Sequence, residues 1–271
     1  YGTRASIIGG CNSTSNVLAG KMFDIPVAGT HAHSWVMSFP SEYEAFKAYA
    51  EVYPDNTTLL IDTYNVLKSG VPNAIRVFGE LRDAGIELKN YGIRLDSGDL
   101  AYLSKKARKM LDDAGYEDVK IVISNSLDEH IIRDILKQGA CVDSFGVGER
   151  LITSKSEPVF GGVYKLVSVI EDGKEIPKIK LSENVAKITI PCFKNLYRLY
   201  SNDTGKAIAD VITLANEKID DTKEYEIFHP QFTWKRKKIS NFTAKKLLVK
   251  IFDKGKLVYK APHVTEIKKY L

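Results

Sequence analysis

Two histidines one residue apart, His31 and His33, sit in the stretch Gly29-Thr30-His31-Ala32-His33-Ser34-Trp35, directly after the apolar run at 25–28. Such a pair can ligate a metal, supply a nucleophile with a neighbour, or be two ordinary imidazoles at a strand end. Other groups with chemical potential also follow short apolar runs. They are Gly9-Gly10 with Asn12 and Ser13, Asp62-Thr63, Asp96-Ser97-Gly98-Asp99, Ser124-Asn125-Ser126, and Gly146-Val147-Gly148. Arg94 precedes Asp96 by two residues, which gives the two side chains one face of an extended segment.

Taken singly, each of these has a plain structural reading. A Gly-x-Gly turn is commonly just a turn, an Asp after a strand commonly caps the next helix, and a strand-end histidine is commonly a hydrogen-bonded bystander. Six polar, glycine-rich run ends in succession are harder to attribute to packing, because buried polar groups without a task are costly. Together they suit a hydroxylated, phosphorylated ligand. Glycines let backbone N–H groups approach phosphate, hydroxyls and amides reach a ribose, and carboxylates hold Mg²⁺ or orient a histidine. A metal-dependent hydrolase would need further histidines from later strand ends. The remaining ones, His130 in a predicted helix and His229 and His263 in a β-rich region, do not supply them. A histidine with two carboxylates within reach, Asp62 and Asp96, fits nucleophilic or proton-handling chemistry better, phosphorylation of the ring included.

These groups need elements to hold them. Over the first 150 residues, short apolar runs (5–8, 25–28, 59–61, 91–95, 119–123 and 142–145) alternate with amphipathic segments at 73–85, 100–115 and 128–140. Each of these segments carries a glycine where a helix would stop. The alternation predicts parallel βαβ units, with the site at the carboxyl ends of the strands, in a barrel or a doubly wound sheet. After Thr153 the pattern becomes alternating apolar and polar in VYKLVSVI, VAKITI, LYRLYS, KAIADVITL, LLVKIF and KLVYK, with turns EDGK, SNDTGK and DKGK. That predicts antiparallel β.

Composition narrows the function classes. With 271 residues, 44% of them hydrophobic, the chain can bury one large or two modest cores. Its apolar runs are too short to span a bilayer, and no signal segment opens it. Cys11, Cys141 and Cys192 lie far apart without CxxC spacing, as expected of reduced thiols in a cytoplasmic protein. Residues 1–150 hold 16 basic against 20 acidic residues and residues 151–271 hold 23 against 14. The lysines of the basic half are spread through strand-like patterns, which reads as a solvated face rather than a nucleic-acid site, and an anionic small substrate accounts for part of it. Barrel lyases and isomerases with a Schiff-base lysine or catalytic Glu at a strand end find no such residue in 1–146.

The motifs YGTRASIIGG, TSNVLAG, GTHAHSW, DTYNV, GIRLDSGDL, SNSLDE, FGVGERL and GGVYKL, in this order, resemble the bacterial nicotinate phosphoribosyltransferase family. Nicotinamide phosphoribosyltransferase is similar but more distant, and a non-catalytic descendant is a further alternative. The resemblance implies an α/β fold, an incomplete parallel β/α barrel of the type II phosphoribosyltransferase kind with a smaller β-rich domain. Residues 1–152 would be the barrel portion carrying the catalytic strand ends, and 153–271 the end of the barrel plus the β-rich domain. It implies joining of nicotinate to phosphoribosyl pyrophosphate in NAD biosynthesis, coupled to ATP through a phosphohistidine, with Mg²⁺. It also implies a cytoplasmic homodimer with no nucleic-acid or membrane partner.

Carried over by residue, the resemblance makes His33 the phosphorylated histidine and leaves His31 a bystander. Asp62 and Asp96 are the carboxylates around His33, with Asp96 also toward ribose and Mg²⁺. Arg94 and Arg4 lie near the nicotinate carboxylate and the phosphates, Tyr1 stacks on the pyridine ring, and Thr30 lies against it. Asn125, Gly146 and Gly148 belong to the phosphate loops. Glu149 departs from the small or hydroxyl residue that the family has after Gly-Val-Gly. The start at Tyr1, inside the first motif, implies a partial chain lacking a front segment and a tail. Such a fragment is expected to bind nicotinate poorly and to turn over slowly.

Overall fold

The computed structural model describes residues 1–162, 165–179 and 188–271. They form two compact units, Tyr1–Phe160 with Pro262–Leu271, and Gly161–Ala261.

The first unit runs α1 (Gly2–Ile8), α2 (Val17–Phe23), α3 (His33–Met37), α4 (Glu42–Val52), β1 (Asn56–Leu60), a π-helical turn (Val66–Gly70), α5 (Val71–Asp83), β2 (Asn90–Leu95), α6 (Leu100–Asp113), β3 (Lys120–Ile123), α7 (Glu129–Lys137), β4 (Ser144–Phe145) and α8 (Glu149–Ile152). Strands β1 to β4 are parallel and lie side by side in chain order. Their apolar residues Leu59, Ile93, Leu95, Ile121 and Ile123, with Ile61 just past β1, join Phe46 of α4, Val77, Phe78 and Leu81 of α5, and Ala107 and Leu111 of α6 in one core. Each large side chain so buried contributes about 1.5–3 kcal/mol. Local chemistry sets the helix ends. Asp99 accepts from the Tyr102 N–H to start α6, and Asp128 accepts from the N–H groups of His130 and Ile131 to start α7. Gly85, Gly115 and Gly139, at φ +77°, +77° and +75°, close α5, α6 and α7 in the left-handed region that glycine enters freely.

Two of the expected strands are not strands. Residues 5–8 lie in helix α1, whose Ile7 packs with Ile25 and with Val264 of the terminal helix α9 (Val264–Tyr270). A four-residue apolar run carries no period that separates strand from buried helix, and here a packing partner more than 250 residues away in sequence takes the helical face. The run at 25–28 makes a single parallel bridge, Val27 to Thr14. Lys268 of α9 fastens the same corner by donating to the carbonyls of Gly10 and Cys11.

The second unit is antiparallel. It contains the hairpin β5 (Ser168–Glu171) and β6 (Lys174–Pro177), the sheet of β7 (Lys194–Ser201), β8 (Ala207–Leu214) and β11 (Phe242–Lys246), and the pairs β9 (Tyr225–Phe228) with β10 (Arg236–Ile239) and β12 (Phe252–Asp253) with β13 (Lys256–Leu257). Leu199, Ile239 and Phe242 are the centre of its core. The Asp172-Gly173 and Lys254-Gly255 pairs, all at positive φ, make the two-residue turns read from EDGK and DKGK. Val163 and Tyr164 of the first expected strand and 185–187 of the second lie outside the described residues. Of LLVKIF only Phe252 enters a strand.

Candidate active site

The register of the parallel sheet decides which side chains meet. Leu60 pairs with Arg94, Leu95 with Ile123, and Ile123 with Phe145. Continued past the strand ends, this sets Asp62, Asp96, Ser124 and Gly146 in one row across the carboxyl edge. The contacts agree. The backbone N–H of Asp96 and the hydroxyl of Ser97 both donate to Asp62 Oδ2, at 3.0 and 2.6 Å. Ser124 Oγ donates to Asp96 Oδ1. A Cβ on Gly146 would lie 3.2 Å from that of Ser124, so the absent side chain leaves the end of the row open.

His31 attaches the histidine segment to this edge. Among the described residues β1 is the outermost strand of this sheet, and its Leu60 N–H donates to His31 Nε2 at 3.1 Å. The ring proton is therefore on Nδ1, which points to the Ala32 carbonyl. The imidazole is buried and touches the rings of Phe46 and Tyr49, and this burial depresses its pKa from 6.5 to about 4. His31 is thus a neutral strut. Its placement brings the residues on either side of it to the sheet edge.

Thr30, on one side, accepts from Arg94 Nη1 at 2.8 Å. His33, on the other, is the first residue of α3. Its Nδ1 lies 3.0 Å from Thr63 Oγ1, and its Nε2 lies 3.9 Å from both Asp62 Oδ1 and Asp96 Oδ2. The Asp62 side chain is 1% exposed, and its Oδ1 has no hydrogen-bond partner among the described residues. Arg94 is held on three sides: Nε donates to Ser124 at 2.7 Å, Nη1 to Thr30, and Nη2 sits 3.2 Å from Asp96 Oδ1. Among the described residues, two of its five N–H donors have no partner.

The structure therefore brings together Thr30, His33, Asp62, Arg94 and Asp96, with Gly146 at the end of their row. Tyr1, 93% exposed, meets the ring of Phe23 at 6.0 Å, and the side chain of Arg4, on α1, makes no hydrogen bond or ion pair among the described residues. Asn125 follows Ser124 at φ +97°, its Oδ1 accepting from the Ser126 N–H, and Gly148 caps α8. These four lie outside the hydrogen-bonded cluster. Ser124, Thr63 and Ser97 are the members to which the sequence assigned no role. The signal was present, since each stands one or two residues past an apolar run, but only the register shows which hydroxyl meets which charge.

A model of the nicotinate phosphoribosyltransferase (NAPRTase) family matches residues 6–222, and one of the nicotinate phosphoribosyltransferase C-terminal domain matches 193–271. The chain belongs to the nicotinate phosphoribosyltransferase family. It is 49% identical to a nicotinate phosphoribosyltransferase of Bacillus subtilis over all 271 of its residues, which are 54% of that protein. With the Dictyostelium discoideum protein of the same name it shares 35% identity over 99% of this chain and 53% of the relative. The chain thus spans about half the length of the curated relatives it matches. The crystal structure of human nicotinic acid phosphoribosyltransferase superposes with a TM-score of 0.75 at 28% identity, covering 98% of this chain and 59% of the human one. This likeness fits the α/β fold with its parallel sheet.

Proposed function

We propose that the protein carrying this chain joins nicotinate to phosphoribosyl pyrophosphate, giving nicotinate mononucleotide and pyrophosphate in NAD biosynthesis, with ATP hydrolysis coupled through a phosphohistidine at His33. The observation that carries the reading is the suspension of His33 between two carboxylates, in a row that also holds an anchored arginine. The strand order and the family's solved structures support an incomplete β/α barrel for the first unit and a smaller β-rich domain for the second.

The nicotinate ring nitrogen attacks the anomeric carbon as pyrophosphate leaves, through a ribose with oxocarbenium character. Catalysis is then mainly positioning and charge neutralisation. Arg94, braced by Ser124, Thr30 and Asp96, directs its free N–H groups at the nicotinate carboxylate, with Thr30 beside the ring. Tyr1 covers the pyridine face, Arg4 meets phosphate, and Asn125, Gly146 and Gly148 bring backbone N–H groups to the ribose phosphate. Among the described residues no group of three or more His, Cys, Asp or Glu side chains is arranged to hold a metal. Asp96, at the carboxyl edge of the sheet, would help to hold Mg²⁺, which would supply positive charge to neutralise the departing pyrophosphate. On the ATP side, a nitrogen of His33 takes the γ-phosphoryl group as ADP leaves, and water later cleaves the N–P bond.

Homodimerisation and a cytoplasmic location are part of the same proposal. The three cysteines are unpaired, and among the described residues no helix is long and apolar enough to cross a membrane.

Incubation with γ-labelled ATP followed by peptide mapping tests the reading. Base-stable, acid-labile phosphate on His33 is expected, and His33→Ala should keep some ATP-independent transfer while losing the stimulation by ATP. Undiminished labelling of that variant would assign the phosphate to another residue.

A further inference from the structure

The ring of His33 makes one hydrogen bond among the described residues, to Thr63 Oγ1 at 3.0 Å from Nδ1, and the Thr63 hydroxyl has no other partner there. A hydroxyl can donate or accept, so this contact alone leaves the tautomer open. The opposite nitrogen decides it. Nε2 lies 3.9 Å from two carboxylate oxygens, Asp62 Oδ1 and Asp96 Oδ2. An N–H dipole facing two negative oxygens is attracted, whereas a lone pair in the same place is repelled. Asp62 Oδ1 is moreover buried and without a donor, so it needs one on that side.

We infer that Thr63 is a positioning residue for His33, its hydroxyl donating to Nδ1 and fixing the imidazole as the Nε2–H tautomer turned toward Asp62 and Asp96. Two consecutive residues after β1 thus bracket one ring, Asp62 on the Nε2 side and Thr63 on the Nδ1 side. The bond orders a side chain that is otherwise 40% exposed and could rotate. It also gives the two nitrogens distinct states before any phosphate arrives. For its functional consequence this inference rests on His33 being the phosphoryl acceptor, but the tautomer itself does not.

The test is long-range proton–nitrogen NMR on the intact protein with labelled histidines, His33 being assigned by its loss in His33→Ala. The parent should show His33 protonated at Nε2. Thr63→Val, close in shape but without the hydroxyl, should move the tautomer ratio about fivefold toward the other form, the scale of one neutral hydrogen bond. Thr63→Ser should restore both the ratio and the ATP-stimulated fraction of product formation that Thr63→Val lowers. An unchanged ratio in Thr63→Val, a parent protonated at Nδ1, or failure of Thr63→Ser to restore the ratio would overturn the inference. If the ratio shifts as expected while His33→Ala still responds to ATP, the Thr63 assignment stands and the phosphoryl-acceptor reading falls.

Discussion

Replacing His31 with glutamine isolates the strut from the chemistry. Glutamine can offer its carbonyl oxygen to the Leu60 N–H but cannot take up a proton. In the parent, burial holds the His31 pKa at about 4, against 6.5 in the unfolded chain. Because the folded value is the lower one, the unfolded chain binds the proton more readily. The native state therefore keeps its full stability above pH 6.5 and loses it as pH falls toward 4. From the two pKa values the loss due to this residue is about 1 kcal/mol at pH 5.5 and about 2–3 kcal/mol at pH 4.5. Urea unfolding of parent and His31→Gln at pH 7.5, 5.5 and 4.5 reads the difference, since the other titrating groups largely cancel between the two proteins. The variant should start less stable by about 1–2 kcal/mol, having lost ring packing against Phe46 and Tyr49, and then close that gap or overtake the parent by pH 4.5. Parallel pH profiles would show that the buried imidazole does not resist protonation, and the account of the strut would be wrong.

Other substitutions probe the row and the close approaches behind it. Ser124→Ala removes the acceptor of Arg94 Nε and the donor to Asp96. It should raise KM for nicotinate by about tenfold or more, the worth of a hydrogen bond to a charged group; steady-state kinetics that match the parent would exclude Ser124 as a brace. Gly70→Ala would set a Cβ 2.0 Å from the Ile61 carbonyl oxygen, so the π-helical turn must move away from the segment that follows β1. A loss of about 3 kcal/mol or more is expected in denaturant unfolding, at the upper end of overpacking costs. Phe78→Ala, at a fully buried position between α5 and the sheet, should cost about 3–5 kcal/mol in the same assay.

The parallel sheet was legible because its strands are short apolar runs separated by amphipathic helices with their own caps and stops. The runs at 91–95 and 119–123 and the glycines at 85, 115 and 139 left little freedom. Residues 5–8 misled because four apolar residues have no measurable period, and the contact that makes them helical comes from Val264. The carboxylates and Arg94 were legible from their places at run ends and from the two-residue spacing. The roles of Ser124 and Thr63 were not, because a serine or threonine in that place is equally consistent with a turn. Only the register of β2 against β3, and the loop that His31 holds down, bring their hydroxyls to Arg94 and His33. The His-x-His spacing itself was neutral between ligand, nucleophile and strut. It resolves into one buried strut and one ring facing two carboxylates because, among the described residues, only His31 accepts from an outward backbone N–H at the sheet edge.

The most direct measurement supplies the intact protein with nicotinate, phosphoribosyl pyrophosphate and Mg²⁺ and follows both products by NMR. Nicotinate mononucleotide and pyrophosphate should accumulate one to one, nicotinamide should not replace nicotinate, and Arg94→Gln should abolish the reaction while the protein remains folded. Formation of neither product by the folded parent, or turnover by Arg94→Gln at the parent's rate, would contradict the assignment of this strand-end row as the reacting site.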